Sequence, residues 1–195
     1  MKFTIKDKQR IFSEFFRVDR LDLEIETFES GEIMPIRRYH LERPEVVALV
    51  VENTDNNSLV MVRQFRYSSL KGSPDGWTTE IVGGLIDPGE SPEACALRES
   101  QEETGYLPKG VTYLTKFFAT VGISDELIYL YHAQVTGAEK VSLGGGLAHE
   151  NEDIEVVEIP FDQCLEQIKS GEINDSKTIL GIQWLALAKA GVAPF

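Results

Sequence analysis

The sequence predicts a mixed α/β (α+β) sandwich preceded by a small N-terminal sheet. Three observations carry that expectation. Short apolar or alternating segments stand on both sides of one mid-chain helix, two further helices close the chain, and an alternating stretch near the start reads as a hairpin. At 195 residues the chain is long enough for one well-buried domain with an appendage. The expected boundaries are residues 1–43 for the N-terminal strands and 44–195 for the main domain.

Phe15 to Phe28 places Leu21, Leu23 and Ile25 on one face and Asp22, Glu24 and Glu26 on the other. A turn at Glu29 to Glu32 leads into Ile33 to Leu41. Two strands are marginal alone, so this hairpin or small sheet must pack on the main domain or on a second subunit. Glu45 to Glu52 (EVVALVVE) is a continuous apolar run suited to a buried strand, Thr54 to Asn57 is a turn, and Ser58 to Arg66 is its hairpin partner. Residues 68–76 are a loop, and Trp77 to Val82 is a short strand. Ser91, Pro92 and Glu93 start a helix: a side-chain cap, proline at the first position and an acid at the positive end of the dipole. It should run to about Thr104 and stop at Gly105. Val111 to Thr120, Glu126 to Val135 and Asp153 to Ile159 read as strands. Phe161 to Ser170 and Asp175 to Ala190 read as helices, and the glycine-rich stretch 136–150 as a mobile loop.

Composition narrows the function classes. A formal charge of −13 argues against nucleic acid as a partner and requires that any phosphate ligand be admitted by metal and local arginines. No segment has the apolar length of a membrane span and the N-terminus lacks a signal-peptide core, so a cytoplasmic protein with no membrane partner is expected. Cys95 and Cys164 read as small packing residues in a reduced setting, and His40, His132 and His149 form no metal pattern.

The chemistry gathers in Gly83 to Tyr106, GGLIDPGESPEACALRESQEETGY. Glu99, Glu102 and Glu103 are spaced i, i+3, i+4, which sets three carboxylates on one helix face. Unpaired, they repel, and oxygen ligands without His or Cys favour Mg²⁺ or Mn²⁺ over zinc. Alone, such a face is usually solvated; the frame around it decides otherwise. The loop Gly83 to Gly89 would bring backbone close to a metal. Arg98 lies about 100° round the helix from Glu99 and would hold a carboxylate by a bidentate contact. Ser100 stands off the Glu99 and Glu103 face. Further out, Arg66 ends a strand, Glu126 could cap a substrate, and Glu150 or Glu152 on the late loop could take a proton from attacking water.

The spacing from Gly84 through Glu90, Arg98, Glu99, Glu102, Glu103 and Gly105 matches the Nudix box, Gly-x5-Glu-x7-Arg-Glu-U-x-Glu-Glu-x-Gly-U, with Ser100 departing at a site usually aliphatic. With VRQFR at 62–66, EIVGG at 80–84, GISDE at 122–126 and ENEDIEV at 150–156, the chain resembles the ADP-ribose pyrophosphatase and nucleoside diphosphate sugar hydrolase branch of the Nudix hydrolases. That resemblance implies an α/β/α sandwich and a homodimer whose N-terminal strands exchange between subunits. It also implies Mg²⁺-dependent hydrolysis of the pyrophosphate bond of ADP-ribose or a related nucleoside diphosphate sugar to a nucleoside monophosphate and a sugar phosphate. By the same likeness Gly83 would offer a carbonyl to Mg²⁺, Glu99 and Glu103 would be direct ligands, and Glu102 would bridge or support a further ion. Arg66 would meet a phosphate beside Glu80, and Glu150 would be the base with Glu152 behind it. An aromatic such as Phe28 could stack on the base and Arg37 could reach across the dimer. A GDP-mannose or UDP-sugar pyrophosphatase is the second expectation, and a non-catalytic nucleotide-sugar sensor the third.

Overall fold

Three long antiparallel strands, β1 (Phe3–Ser13), β2 (Arg17–Glu26) and β3 (Ile33–Glu42), form a sheet in the order β1-β2-β3. The computed structural model describes residues 2–192. The expected hairpin or small sheet is a sheet of three strands. The added strand was masked in the sequence by the charges of KDKQR, which pair across the strands: Lys6 with Glu24 at 3.2 Å, Lys8 with Asp19 at 2.9 Å and Asp7 with Arg20 at 3.5 Å. Asp19 is buried, and the hydrogen bonds from Arg10 and Lys8 hold its carboxyl down to about 2. Every residue of β1 is exposed, the apolar Phe3, Ile5, Ile11 and Phe12 included.

By Cα proximity the chain divides into two units. Met1–Glu45 and Phe118–Leu127 make up the first, Val46–Phe117 and Ile128–Phe195 the second. Within the first, segment 118–127 is tied to the end of β3 by Leu41 N–H on the Ile123 carbonyl (2.7 Å) and by Arg43 Nε on Glu126 (2.9 Å).

The second unit is organised around β4 (Val46–Asn53). On one edge β4 runs parallel to β9 (Leu127–Val135), and on the other its two halves pair with different strands. Val46 to Leu49 meet β7 (Val82–Leu85), and Val51 to Asn53 meet β5 (Ser58–Phe65). β5 pairs in turn with β10 (Glu155–Pro160) and, past Val62, with β6 (Trp77–Glu80); β8 (Thr112–Phe118) completes the path β10-β5-β4-β9-β8. Ile81, between β6 and β7, is where the chain leaves β5 and joins β4. Gly83 and Gly84, expected in a loop, are thus strand residues. Glycine weighs against a strand by propensity, but here it lets other groups come close.

Val47 to Val51 are at most 1% exposed, so β4 is covered on both faces, as its continuous apolar run requires. Val47, Leu49 and Val51 pack with Val60, Val82, Cys95, Ala96, Tyr106 and Tyr131 beneath α1 (Pro92–Glu99). On the other face Val50 meets Gly181 of α3 (Ser176–Lys189), where an added Cβ would lie 2.6 Å from Val50 Cγ2. A mid-helix glycine is unfavourable by about 1 kcal/mol, and this close approach explains it. Both cysteines are buried and free. Among the described residues no helix is long and apolar enough to cross a membrane.

α1 begins as its sequence requires, with Ser91 Oγ accepting the Ala94 N–H at 3.2 Å and Pro92 in the first turn. It continues as a π-helical turn, Ser100–Thr104, and ends at Gly105 with φ 78°. Ser100 is fully buried, and its hydroxyl donates to the Tyr106 carbonyl at 2.9 Å, so the polar residue at an aliphatic site keeps a partner. Segment 136–150, expected to be mobile, is instead hydrogen-bonded to this helix end. Gly145 N–H donates to the Glu103 carbonyl (2.8 Å) and Gly146 N–H to that of Glu102 (3.1 Å). Gly144 needs to be glycine, since its φ is 71° and an added Cβ would meet the Glu103 carbonyl at 2.5 Å. α2 (Phe161–Ser170) and α3 match their expected spans to within a residue or so.

Candidate active site

The C-terminal half of α1, its π-helical extension and β7 bring the box residues together. Glu103 is 2% exposed, and its carboxylate accepts the Gly83 N–H at 3.2 Å. Glu99 presses so closely on β7 that a Cβ on Gly84 would fall 1.9 Å from its Oε1. Burial pushes the Glu99 carboxyl up to about 7 despite Arg98, and the charges of Glu102 and Glu152 add to the rise. Glu103 is pushed well above the usual carboxylate range by burial first, then by Glu99, Glu152 and Glu80, against the single Gly83 N–H.

Arg98 is the hub of the remaining box residues. It grips Glu90 with Nε (2.9 Å) and Nη2 (3.0 Å), while Nη1 spans Glu99 (2.7 Å) and Glu102 (2.9 Å). Nη2 also donates to the Leu85 carbonyl at 3.2 Å, tying the helix to β7. The hydrogen bond from Arg98 holds the Glu90 carboxyl down to about 2.

Beside this cluster lies a second one that the sequence showed only in part. Glu80, 3% exposed, accepts Arg66 Nε (2.9 Å) and Nη2 (3.1 Å), the Thr78 hydroxyl (2.6 Å) and Lys177 Nζ (2.6 Å). Burial opposes its charge, but Lys177 and Arg66 prevail and hold the carboxyl down to about 2. Arg66 remains partly exposed, with its side chain 44% accessible. Lys177 was missed by sequence reasoning. A lone lysine in NDSKTIL belongs to no motif, and the one available signal was its place two residues after the helix cap Asp175, to whose carboxylate it also donates at 3.0 Å.

Of the two late-loop carboxylates, Glu152 is brought to the box and Glu150 is not. Glu152 accepts the Leu147 N–H at 3.1 Å, packs against Gly146 and lies near enough to raise both Glu99 and Glu103. Glu150 is exposed on a 3-10 turn, with His149 Nε2 at 3.7 Å. Phe28, Arg37 and Glu126 belong to the other unit. Phe28 is 88% exposed, Arg37 is held by Asp22 at 2.6 and 3.0 Å, and Glu126 by Arg43.

The donor chemistry fits a hard divalent cation: oxygens only, with two buried carboxyls, of which Glu99 adds to the rise of Glu103. Glu103 has one hydrogen-bond donor among the described residues, too little to satisfy a buried carboxylate. Among the described residues no group of three or more His, Cys, Asp or Glu side chains is placed to hold a metal ion as it stands, and Arg98 Nη1 bridges Glu99 and Glu102 instead.

The NUDIX domain family model matches residues 41–190. GDP-mannose pyrophosphatase of Enterobacter sp. (strain 638) is 37% identical over 185 residues, covering 94% of each chain. The protein of the same name from Cronobacter sakazakii (strain ATCC BAA-894) is 38% identical over 184 residues, again covering 94% of each. A crystal structure titled ADP compounds hydrolase shares the fold at a TM-score of 0.75, with 23% identity, over 98% of this chain and 96% of that one. With the family match extending from the end of β3 to the end of α3 and the box carboxylates gathered against β7, the chain belongs to the NUDIX domain family.

Proposed function

We propose that the protein adds water across the pyrophosphate bond of a nucleoside diphosphate sugar, releasing a nucleoside monophosphate and a sugar phosphate, with Mg²⁺ or Mn²⁺ as its cofactor. The observation that carries this reading is the pair of buried carboxyls of Glu99 and Glu103 against the glycine strand of β7, where the charge of Glu99 adds to the rise at Glu103. Glu99, Glu103 and the Gly83 carbonyl would hold the ion, with Glu102 beside them. When bound, such an ion supplies charge neutralisation at the diphosphate and acidity to water.

The chain's own residues account for the rest. Arg98 fixes the orientation of Glu90, Glu99 and Glu102 through four hydrogen bonds. Arg66 and Lys177, both anchored on Glu80, set positive charge beside the box in a protein of net charge −13, where an anionic substrate would otherwise be repelled. Glu152, seated beside Glu99 and Glu103, is the favoured proton acceptor, and Glu150 the alternative. Of the substrates raised by the sequence, GDP-mannose is favoured by the names of the relatives and ADP-ribose stands second. The exposed apolar residues of β1 and the Phe15 ring, 82% exposed, support a homodimer built through the N-terminal sheet.

Purified protein with Mg²⁺, offered GDP-mannose, ADP-ribose and UDP-glucose in parallel, tests the reading. Release of GMP from GDP-mannose, faster than AMP or UMP from the others, is expected. Tight binding of a nucleotide sugar with no monophosphate released would establish the sensor reading instead.

A further inference from the structure

The sheet has one discontinuity, and α3 is fastened to it. β6 pairs with β5 as far as Glu80, β7 pairs with β4 from Val82, and Ile81 between them pairs with neither. Its N–H is buried and would be left without a partner in the sheet, which is costly. The Thr178 hydroxyl of α3 supplies the partner: Oγ1 accepts the Ile81 N–H at 3.0 Å and donates to Asp175 Oδ2 at 2.6 Å. Thr178 is fully buried. The same Asp175 oxygen caps α3 through the Thr178 N–H (3.0 Å) and holds Lys177 Nζ (3.0 Å), which donates in turn to Glu80. One residue before the discontinuity is Glu80, the anchor of Arg66. Two residues after it is Gly83, whose N–H meets Glu103.

A second contact sets the same distance. Gly181, one turn further along α3, is close enough to Ile81 that an added Cβ would stand 3.3 Å from its Cδ1, and one on Gly83 would lie 3.4 Å from Lys177 Cε. The first two turns of α3 therefore touch residues 80–83 through two hydrogen-bond chains, through the close packing of Gly181 on Ile81 and through ordinary contact of Lys177 with Gly83, without themselves supplying a box carboxylate.

We infer that Thr178 and Asp175 are positioning residues for the box: through the Ile81 peptide and Lys177 they fix where Gly83 and Glu80 stand relative to Glu103 and Arg66. The inference rests on the pyrophosphatase reading for its activity measurements, and metal binding by the protein alone tests it independently. Thr178→Val keeps the shape and removes the hydroxyl, whereas Thr178→Ser keeps the hydroxyl.

The decisive experiment titrates Mn²⁺ into each protein without substrate, following free Mn²⁺ by electron paramagnetic resonance, and measures kcat and KM for GDP-mannose well below each variant's Tm. Thr178→Val is expected to weaken Mn²⁺ binding and lower kcat by about 10- to 100-fold, the range for residues that orient metal ligands, with KM within threefold. Thr178→Ser should return both to within threefold of the parent. Thr136→Ala, which removes a remote turn cap, should leave both unchanged and separates general loss of stability from mispositioning. Asp175→Asn, at a part-exposed site, gives a second reading if Thr178→Val does not fold, with a several-fold loss of kcat and of Mn²⁺ affinity expected. Mn²⁺ binding and kcat within threefold of the parent in the folded variant, or no rescue by serine, overturns the inference. A parent protein that binds Mn²⁺ but cleaves no nucleotide sugar counts against the pyrophosphatase reading only.

Discussion

Among individual residues, charge state decides what the box carboxylates can do. Glu99 titrates near 7 in the folded protein against an ordinary value of 4.5, so folding favours its protonated form. That preference stabilises the metal-free protein fully below about pH 4.5 and is lost as pH rises through about 7. A divalent cation binds the charged form. The gain in Tm on adding Mg²⁺ should therefore be larger at about pH 8 than at about pH 5.5; differential scanning fluorimetry at the two values checks this, and an equal or smaller gain at the higher pH refutes it. The late loop offers a second comparison. Glu152→Gln is expected to lower kcat by about 100-fold or more with KM little changed, and Glu150→Gln by less than about threefold. Steady-state kinetics of both variants decides, and the reverse ranking would return the role of base to Glu150. The family likeness puts Glu150 first and Glu152 behind it; what sets them apart in the fold is Gly146, whose N–H on the Glu102 carbonyl brings the loop to the helix end and Glu152 with it.

For the elements, the pairing of α1 with β7 matters most. The helix was legible from Ser91, Pro92 and the glutamate spacing, because capping and periodicity are local signals. The strand under it was not. Two consecutive glycines read as a loop, and only tertiary contact shows that their missing side chains make room for Glu99 at Gly84 and for the Val47 carbonyl at Gly83. Gly84→Ala should accordingly displace the Glu99 carboxylate, which lies 1.9 Å from the added carbon, and lower kcat/KM by at least about tenfold while leaving Tm within a few degrees. Kinetics and calorimetry on one preparation test this, and undiminished kcat/KM would show that the close approach is dispensable. Lys177 escaped notice for a related reason: its partner Glu80 is 97 residues away in sequence. The charged β1 was hidden because its ion pairs form only once β2 is alongside.

The whole molecule presents two units of different character. The larger buries a continuous apolar core around β4, which the EVVALVVE run foretold, and carries the box, Glu80, Arg66, Lys177 and Glu152. The smaller leaves Phe3, Ile5, Ile11, Phe12 and Phe15 exposed, an apolar surface that a second subunit would cover. Light scattering after size exclusion should give the mass of a dimer at micromolar concentration, and a monomer would remove the support for subunit exchange. The central claim concerns the carboxylates, and turnover of GDP-mannose by the parent protein and by Glu103→Gln across a range of Mg²⁺ concentrations tests it most directly. GMP release by the parent that depends on Mg²⁺, with a loss of about 100-fold or more in the variant, is the predicted result. Release that is independent of Mg²⁺, or a variant within about threefold of the parent at every concentration, would contradict it.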